Sequence, residues 1–242
     1  DAPCIALSVI YTETGEMTEF RLHRKNPMLV LVDLDLIAKA PKRFLVAGMG
    51  DALATYYEAR ACKKTQSLNP RGGLQTEAGL CFSKLCRDIL LADGVHVVKC
   101  FESGSITPAF ERVVEANVLL SGPGVELCHV AGAHAIHNGL TQLKETHSAY
   151  HGEKVAFGLI TQLVLEGEGL DEIHRLLNFY AQVGLSRTFS QIGLQSPSKE
   201  DLLRVAQRAT LEGETMSHEP VSISQSDLVD ALRYADSLGS KY

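Results

Sequence analysis

The stretch Ala131-Gly-Ala-His-Ala-Ile-His-Asn-Gly139, followed shortly by Tyr150-His-Gly-Glu-Lys154, decides how this chain is interpreted. The first segment predicts a helix of small residues in which His134 and His137, three positions apart, share one side. His151 begins the next helix beside a glycine. A single helical histidine is more often a packed residue than a ligand, but small neighbours allow another helix or a ligand to approach closely. The pattern therefore indicates a binding site.

A fourth polar group lies far upstream, at Asp51 within Gly48-Met-Gly-Asp-Ala-Leu-Ala-Thr55. We predict that Asp51, His134 and His151 converge on one metal ion. One aspartate and two histidines leave an open coordination position, as a catalytic zinc site requires. The three residues are far apart in sequence, so their spacing alone does not establish the site.

The bulk composition limits the possible partners. The 242 residues include 23 Lys and Arg against 29 Asp and Glu, a formal net charge of -6, and no long basic run. This argues against a nucleic-acid partner. No apolar run is long enough to span a bilayer, and Asp1-Ala-Pro-Cys4 has no features of a signal peptide, so no membrane partner is expected. The six cysteines form no Cys-x-x-Cys pair, which favours free thiols and a cytoplasmic location.

The hydropathy pattern changes near residue 40. Strands are predicted over 5–12, 17–22 and 28–33, and three strands look like the edge of a larger sheet. From Ala40 onward the pattern is helical, with helices predicted over 51–63, 74–91, 105–120, 125–137, 150–166, 170–183, 199–211 and 225–238. A break is predicted at 121–124, an N-cap at Ser198 and a C-cap at Gly184. We therefore predict a β-rich segment at 1–39 and a mainly α-helical domain at 40–242.

Three motifs carry a family resemblance: Gly50-Asp-Ala-Leu-Ala-Thr55, Ala133-His-Ala-Ile-His-Asn-Gly-Leu-Thr141 and Tyr150-His-Gly-Glu-Lys-Val-Ala-Phe-Gly158. The chain resembles the C-terminal part of glycerol dehydrogenases of the iron-containing alcohol dehydrogenase family over essentially its whole length. The resemblance implies a mainly α fold, the multi-helix C-terminal domain of the dehydroquinate synthase-like and iron-containing alcohol dehydrogenase fold. It also implies that residues 1–39 are the remnant of an N-terminal nucleotide-binding domain.

The resemblance also implies roles for single residues. The three predicted metal ligands match the metal ligands of the family. Asp1 matches a carboxylate that contacts the glycerol hydroxyls, while Leu7 and Tyr11 match positions beside the nicotinamide of NAD. His137 matches a second histidine close to the substrate that is not a ligand, and a packed helix histidine is the equal alternative.

Two departures from the family pattern bear on the cofactors. The iron-dependent relatives carry a histidine where this chain has Thr55, so three protein ligands remain, which favours zinc over iron. Ile5 replaces a serine whose hydroxyl contacts the cofactor. The family's Gly-Gly-Gly phosphate loop has no match, since Arg71-Gly-Gly73 lacks both the extra glycine and a strand-to-helix context. We therefore expect the NAD phosphate-binding part to be missing.

The implied activity is the zinc-dependent oxidation of glycerol, or a related vicinal diol, to dihydroxyacetone with NAD, in an enzyme that is a homo-oligomer at full length. We expect this chain alone to keep the metal site and to lose useful NAD affinity. One alternative is a non-catalytic metal-binding helical module that needs a partner N-terminal domain. A metal hydrolase is a weaker alternative, because only His137 or Glu153 offers itself as a general base.

Overall fold

The computed structural model describes residues 3–242 and begins with a β-hairpin. Strand β1 (Leu7–Tyr11) pairs antiparallel with β2 (Met17–Leu22), so that Leu7 faces Leu22 and Val9 faces Phe20. The turn between the strands places Gly15 at φ +90°, a conformation that glycine adopts without strain. The two strands that the sequence predicts on either side of a turn are confirmed.

The prediction of a third strand, over residues 28–33, is wrong. This segment is irregular, and most of its apolar side chains are exposed, with Met28 and Leu31 among the most exposed residues. A strand forms only against a neighbouring backbone. Within residues 3–242 the sheet contains β1 and β2 alone, so the segment has no strand to pair with.

The rest of the described chain is helical, which confirms the mainly α-helical fold. The α-helices are α1 (Leu34–Lys39), α2 (Lys42–Thr65), α3 (Glu77–Cys100), α4 (Pro108–Glu115), α5 (Ser121–Cys128), α6 (Gly132–Leu140), α7 (His151–Leu165), α8 (Leu170–Val183), α9 (Lys199–Ala209) and α10 (Gln225–Gly239). A π-helical turn, Ala116–Leu120, joins α4 to α5. Short 3-10 turns lie at Phe101–Ser103, Lys144–Ser148, Ser190–Ile192 and Thr215–His218. In the part of the chain that the structure describes, no helix is both long and apolar enough to cross a bilayer.

Several helix ends follow directly from local sequence. The Thr76 hydroxyl accepts a hydrogen bond from the backbone N–H of Gly79 at the start of α3. The predicted N-cap Ser198 and the side chain of Asp201 cap each other's backbone N–H groups. The predicted C-cap Gly184 ends α8 at φ +85°. Both predicted caps are confirmed.

The predicted helix break at 121–124 is wrong, and the break comes later. The chain stays helical from α4 through the π-helical turn into α5, and then leaves the helix at His129, whose φ is +82°. The wide turn ends three residues before Pro123, which cannot donate the usual backbone hydrogen bond. Gly124 serves close packing instead of a turn, because a Cβ there would overlap Ser83 on α3 and Thr55 on α2.

The core is built around α2 and α7, which are buried along most of their length. A Cβ on Gly152 would overlap the carbonyl oxygen of Ala47, so the start of α7 lies directly on α2. In the same way a Cβ on Gly158 would meet the carbonyl oxygen of Ala133 at the start of α6. These glycines let three helices approach so closely that residues 51, 134 and 151 become neighbours.

Candidate metal centre

Asp51, His134 and His151 meet where α2, α6 and α7 come together. The Asp51 Oδ1 atom lies 3.2 Å from His134 Nε2 and 3.2 Å from His151 Nε2. One ligand atom from each residue lies within 4.8 Å of the others, and no other such group of His, Cys, Asp or Glu occurs within residues 3–242. The structure therefore brings together the three side chains that the sequence predicts as metal ligands.

The site lies at the wall of a cavity of about 750 Å³. Asp51 and His134 are buried, while His151 is partly exposed. Most of the wall is apolar and comes from the hairpin, the segment before α3, and α5: Ile5, Leu7, Val9, Tyr11, Phe20, Leu22, Leu68, Pro70 and Val125. A polar ligand set at one wall of an apolar cavity is the usual form of a small-molecule site.

Leu7 and Tyr11, predicted beside the nicotinamide, both line this cavity from β1. Burial and the nearby Asp51 carboxylate raise the pKa of the Tyr11 hydroxyl. Asp1, predicted to contact the substrate, lies outside the described residues. His129, Asn69 and Val130 also line the cavity. These three are not among the residues predicted from the sequence, because His129 and Val130 take their positions from the break between α5 and α6, and Asn69 lies in the loop between α2 and α3.

Glu58 holds His134 in place. Its Oε2 atom lies 2.7 Å from His134 Nδ1, and its Oε1 atom accepts the backbone N–H groups of Ala131 and His134 at 2.8 and 3.0 Å. Glu58 is fully buried on α2. Glu58 is not among the site residues predicted from the sequence, although it follows Asp51 by seven positions, which is two helical turns and hence the same face of α2.

His137 lies behind His151, and it is not part of the cavity wall. Its Nε2 atom lies 3.0 Å from His151 Nδ1, and its Nδ1 atom lies 3.1 Å from Asn138 Oδ1. The side chain is almost completely buried. Burial and the neighbouring His151, Lys154 and His134 hold the pKa of His137 well below its usual range, so the imidazole is neutral.

The electrostatics favour an ionised carboxylate among the ligands. Burial opposes the charge on Asp51, but His151 and His134 hold the pKa of this carboxyl well below its usual value. Burial also opposes a charged His134. The carboxylates of Glu58 and Asp51 outweigh that effect and raise the pKa of His134 to about 10. In the metal-free protein His134 therefore carries a proton that a metal ion would displace.

Thr55, at the position of the histidine in iron-dependent relatives, does not reach the site. It is buried, and its methyl group packs against Gly124 on α5. The six cysteines are free thiols, and none of them joins the three metal-ligand candidates. Burial raises the pKa of Cys62 and Cys86, which keeps these two thiols protonated.

Comparisons with known proteins identify the family of this chain. No family model matches the chain. It is 41% identical to a probable glycerol dehydrogenase of Sinorhizobium meliloti, with a TM-score of 0.97 over 100% of this chain and 68% of that one. This chain belongs to the iron-containing alcohol dehydrogenase family. Within the family it corresponds to the C-terminal part of the glycerol dehydrogenases.

Curated relatives place the chain near the same enzymes. It is 47% identical over 242 residues to a glycerol dehydrogenase of Citrobacter freundii, covering 100% of this chain and 66% of that protein. It is 43% identical over 241 residues to a glycolaldehyde reductase of Halobacterium salinarum, covering 100% of this chain and 66% of the relative. The chain thus spans about two thirds of the length of these relatives. An iron-containing alcohol dehydrogenase of Thermotoga maritima, 16% identical with a TM-score of 0.67, shares the fold over 96% of this chain and 60% of its own.

Proposed function

We propose that this chain forms the metal-binding catalytic part of an NAD-linked, zinc-dependent glycerol dehydrogenase. The observation that carries the proposal is the convergence of Asp51, His134 and His151 at the wall of a largely apolar cavity. The similarity to glycerol dehydrogenases supports the choice of substrate class. A cytoplasmic location and a homo-oligomeric assembly complete the proposal.

The residues present fit a zinc ion. Tetrahedral zinc with bonds of about 2.0–2.2 Å to oxygen and nitrogen places neighbouring ligand atoms roughly 3.3–3.6 Å apart. The two distances from Asp51 Oδ1 to the histidine nitrogens are both 3.2 Å. His134 also has the outer carboxylate partner, Glu58, that histidine ligands usually have. Three protein ligands leave room for a hydroxyl group of the substrate.

When bound, zinc would act as a Lewis acid that lowers the pKa of a glycerol hydroxyl, and NAD would accept the hydride. The residues of this chain supply the surroundings for that chemistry. Asp51, His134 and His151 would hold the metal, and Glu58 would fix the ring of His134. With substrate bound, the apolar wall, including Leu7 and Val125, would limit the access of water to the reacting groups and so strengthen electrostatic interactions there.

Residues 1–39 would belong to the edge of a nucleotide-binding domain, and residues 40–242 would form the metal-binding domain. The exposed apolar side chains of Met28, Leu29 and Leu31 support this division, because they are suited to burial against further structure. Leu7 and Tyr11 would then flank the nicotinamide, and Asp1 would contact the polyol.

Metal stoichiometry is the direct test. Elemental analysis of the purified, dialysed chain should give close to one zinc per chain, and both Asp51→Asn and His151→Ala should lose it. His96→Ala, which removes an exposed histidine on α3, is the matched control and should retain zinc. Iron in place of zinc would contradict the choice of metal. No bound metal in the unmodified chain would contradict the metal site.

The substrate is tested separately, with zinc and at NAD concentrations high enough to offset the weak NAD affinity that we expect of this chain. Glycerol-dependent reduction of NAD should exceed that with propan-1-ol, which lacks the neighbouring hydroxyl groups. Faster reduction of glycolaldehyde with NADH than turnover of glycerol would instead favour the chemistry named for the Halobacterium salinarum relative.

A non-catalytic metal-binding module that needs a partner domain is the second candidate, and the exposed side chains of Met28, Leu29, Leu31 and Val32 favour it. In that case the chain binds zinc and has no glycerol-dependent activity, even at saturating NAD. Adding the N-terminal domain of a close relative as a separate chain should then restore the activity. Activity of the chain by itself would exclude this candidate.

A further inference from the structure

A line of hydrogen bonds runs away from His151 into the protein, on the side opposite the cavity. His151 Nδ1 meets His137 Nε2 at 3.0 Å, and His137 Nδ1 meets Asn138 Oδ1 at 3.1 Å. Asn138 Nδ2 then donates to Glu214 Oε2 at 3.0 Å, and Arg208 donates to Glu214 Oε1. We call these five side chains the His137 network. It joins α7, α6, the segment after α9, and α9 itself.

Each hydrogen bond of the network has a defined donor and a defined acceptor. This direction is set by Arg208 and Glu214, at the end far from the metal ligands. The Arg208 guanidinium can only donate, and the Glu214 carboxylate that it pairs with accepts. Glu214 therefore requires the NH₂ group of Asn138 to face it. The Asn138 carbonyl oxygen must then face His137 and can only accept from it. The amide orientation of Asn138 follows from Glu214.

The orientation of Asn138 also determines which nitrogen atoms of the two imidazole rings donate and which accept. With its single proton on Nδ1, facing the Asn138 oxygen, the His137 ring has a lone pair on Nε2 and accepts there. His151 must then donate from Nδ1. This is the tautomer in which Nε2, the atom beside Asp51, is free to bind a metal ion. The opposite tautomer would place a proton on the ligating nitrogen.

We infer that Glu214 and Asn138 are positioning residues that act through His137 to hold His151 in its metal-binding tautomer. The inference rests on the proposed metal site and deepens it. His134 is thus fixed directly by the Glu58 carboxylate. His151 is fixed through two neutral side chains, His137 and Asn138, which connect it to Glu214. All four side chains behind His151 are largely buried, with side-chain exposures of 15% for Arg208 and 10% for Glu214, so water does not compete strongly for these bonds.

Glu214→Gln tests the direction of the network at nearly constant volume. The amide has one accepting oxygen where the carboxylate has two, so Arg208 and Asn138 compete for it. The charged guanidinium makes the stronger hydrogen bond and takes the oxygen. The remaining NH₂ group then faces Asn138, whose amide turns over and presents its own NH₂ group to His137. This reverses both imidazole tautomers and opposes zinc binding.

The measured quantity is zinc affinity, by competition with a chromophoric chelator. Loss of an outer partner of a metal-binding histidine typically lowers affinity roughly 10–100-fold, and we expect Glu214→Gln to fall in that range. The control Glu212→Gln, two residues earlier and exposed, should bind zinc like the unmodified chain.

The double variant Arg208→Met/Glu214→Gln distinguishes direction from general disruption. Without Arg208 the amide oxygen is free to accept from Asn138, so the original direction returns and much of the zinc affinity should recover. A purely structural role predicts the reverse, since the double variant removes more packing and hydrogen bonds than the single variant. Affinity that is unchanged in Glu214→Gln, or lower still in the double variant, would overturn the inference.

Nitrogen-15 NMR of the unmodified, zinc-loaded protein gives a second test if Glu214→Gln does not fold. We expect His137 to carry its proton on Nδ1, and a proton on Nε2 would overturn the inference. A chain that binds no zinc at all would contradict the proposed metal site itself. A chain that binds zinc equally tightly in the Glu214→Gln variant would contradict only the role of the network.

Discussion

The Oε2 atom of Glu58 lies 2.7 Å from Nδ1 of His134, so a carboxylate on α2 orients a candidate metal ligand on α6. The other oxygen of Glu58 accepts the backbone N–H groups of residues 131 and 134, at the beginning of α6. One buried side chain therefore sets both the position of the helix and the orientation of the ring. A negative charge at a helix N-terminus is also favoured by the helix dipole.

Replacing Glu58 with glutamine should weaken zinc binding by roughly 10–100-fold, the usual cost of losing an outer partner of a histidine ligand. In the unmodified chain the two oxygens of Glu58 are shared by the His134 ring and two backbone N–H groups, and the glutamine amide has only one accepting oxygen. Chelator competition measures the affinity, and Glu111→Gln on the exposed side of α4 is the control. Equal zinc affinity in the Glu58→Gln variant would show that this carboxylate does not orient His134.

Zinc affinity should rise with pH. Because the pKa of His134 in the metal-free protein is raised to about 10, zinc must displace a proton from this ring at neutral pH. Displacement of one proton makes the affinity increase by up to roughly tenfold per pH unit below that pKa. Chelator competition between pH 6 and 9 measures the slope, and a flat profile would contradict a protonated His134.

Glu219→Gln should make the metal-free protein more stable at alkaline pH. Burial, together with the carboxylates of Glu166 and Glu58, raises the pKa of Glu219 from an ordinary value of 4.5 to about 9. The folded state therefore holds a proton that the unfolded chain releases, and stability falls as pH rises from 4.5 to about 9. Glutamine resembles the protonated acid and removes this loss.

Urea unfolding at several pH values measures this effect. The gain in the free energy of unfolding in Glu219→Gln should be small near pH 5 and should grow up to about pH 9. The exposed Glu212→Gln variant should show no such trend. A gain that is independent of pH would mean that Glu219 is ionised in the folded protein.

Gly152→Ala should separate α7 from α2, because the added Cβ would overlap the carbonyl oxygen of Ala47. Overpacking of this kind costs about 1–3 kcal/mol of stability. Zinc affinity should fall as well, since His151 directly precedes this position. Gly169→Ala is the control, because a Cβ there meets open space. Wild-type stability and zinc affinity in Gly152→Ala would show that the two helices do not need this close approach.

Much of the fold could be predicted from local patterns. Caps such as Ser198 and Gly184 depend on neighbouring residues only, and the structure has them where they were predicted. The predictions of a strand at 28–33 and of a helix break at 121–124 are wrong for one common reason. An apolar run forms a strand only beside another strand, and a glycine such as Gly124 can serve close packing instead of a turn. Both outcomes depend on distant parts of the chain.

The sequence by itself determined the chemical character of the candidate site, because only certain side chains bind metal ions, and Asp51, His134 and His151 carry suitable atoms in recognisable motifs. The tertiary structure alone decided what each ligand touches. Glu58 is 76 residues from His134 in the chain, and Glu214 is 76 residues from Asn138. No local pattern encodes such pairs, because they form only when packing between helices brings their buried side chains within hydrogen-bond distance.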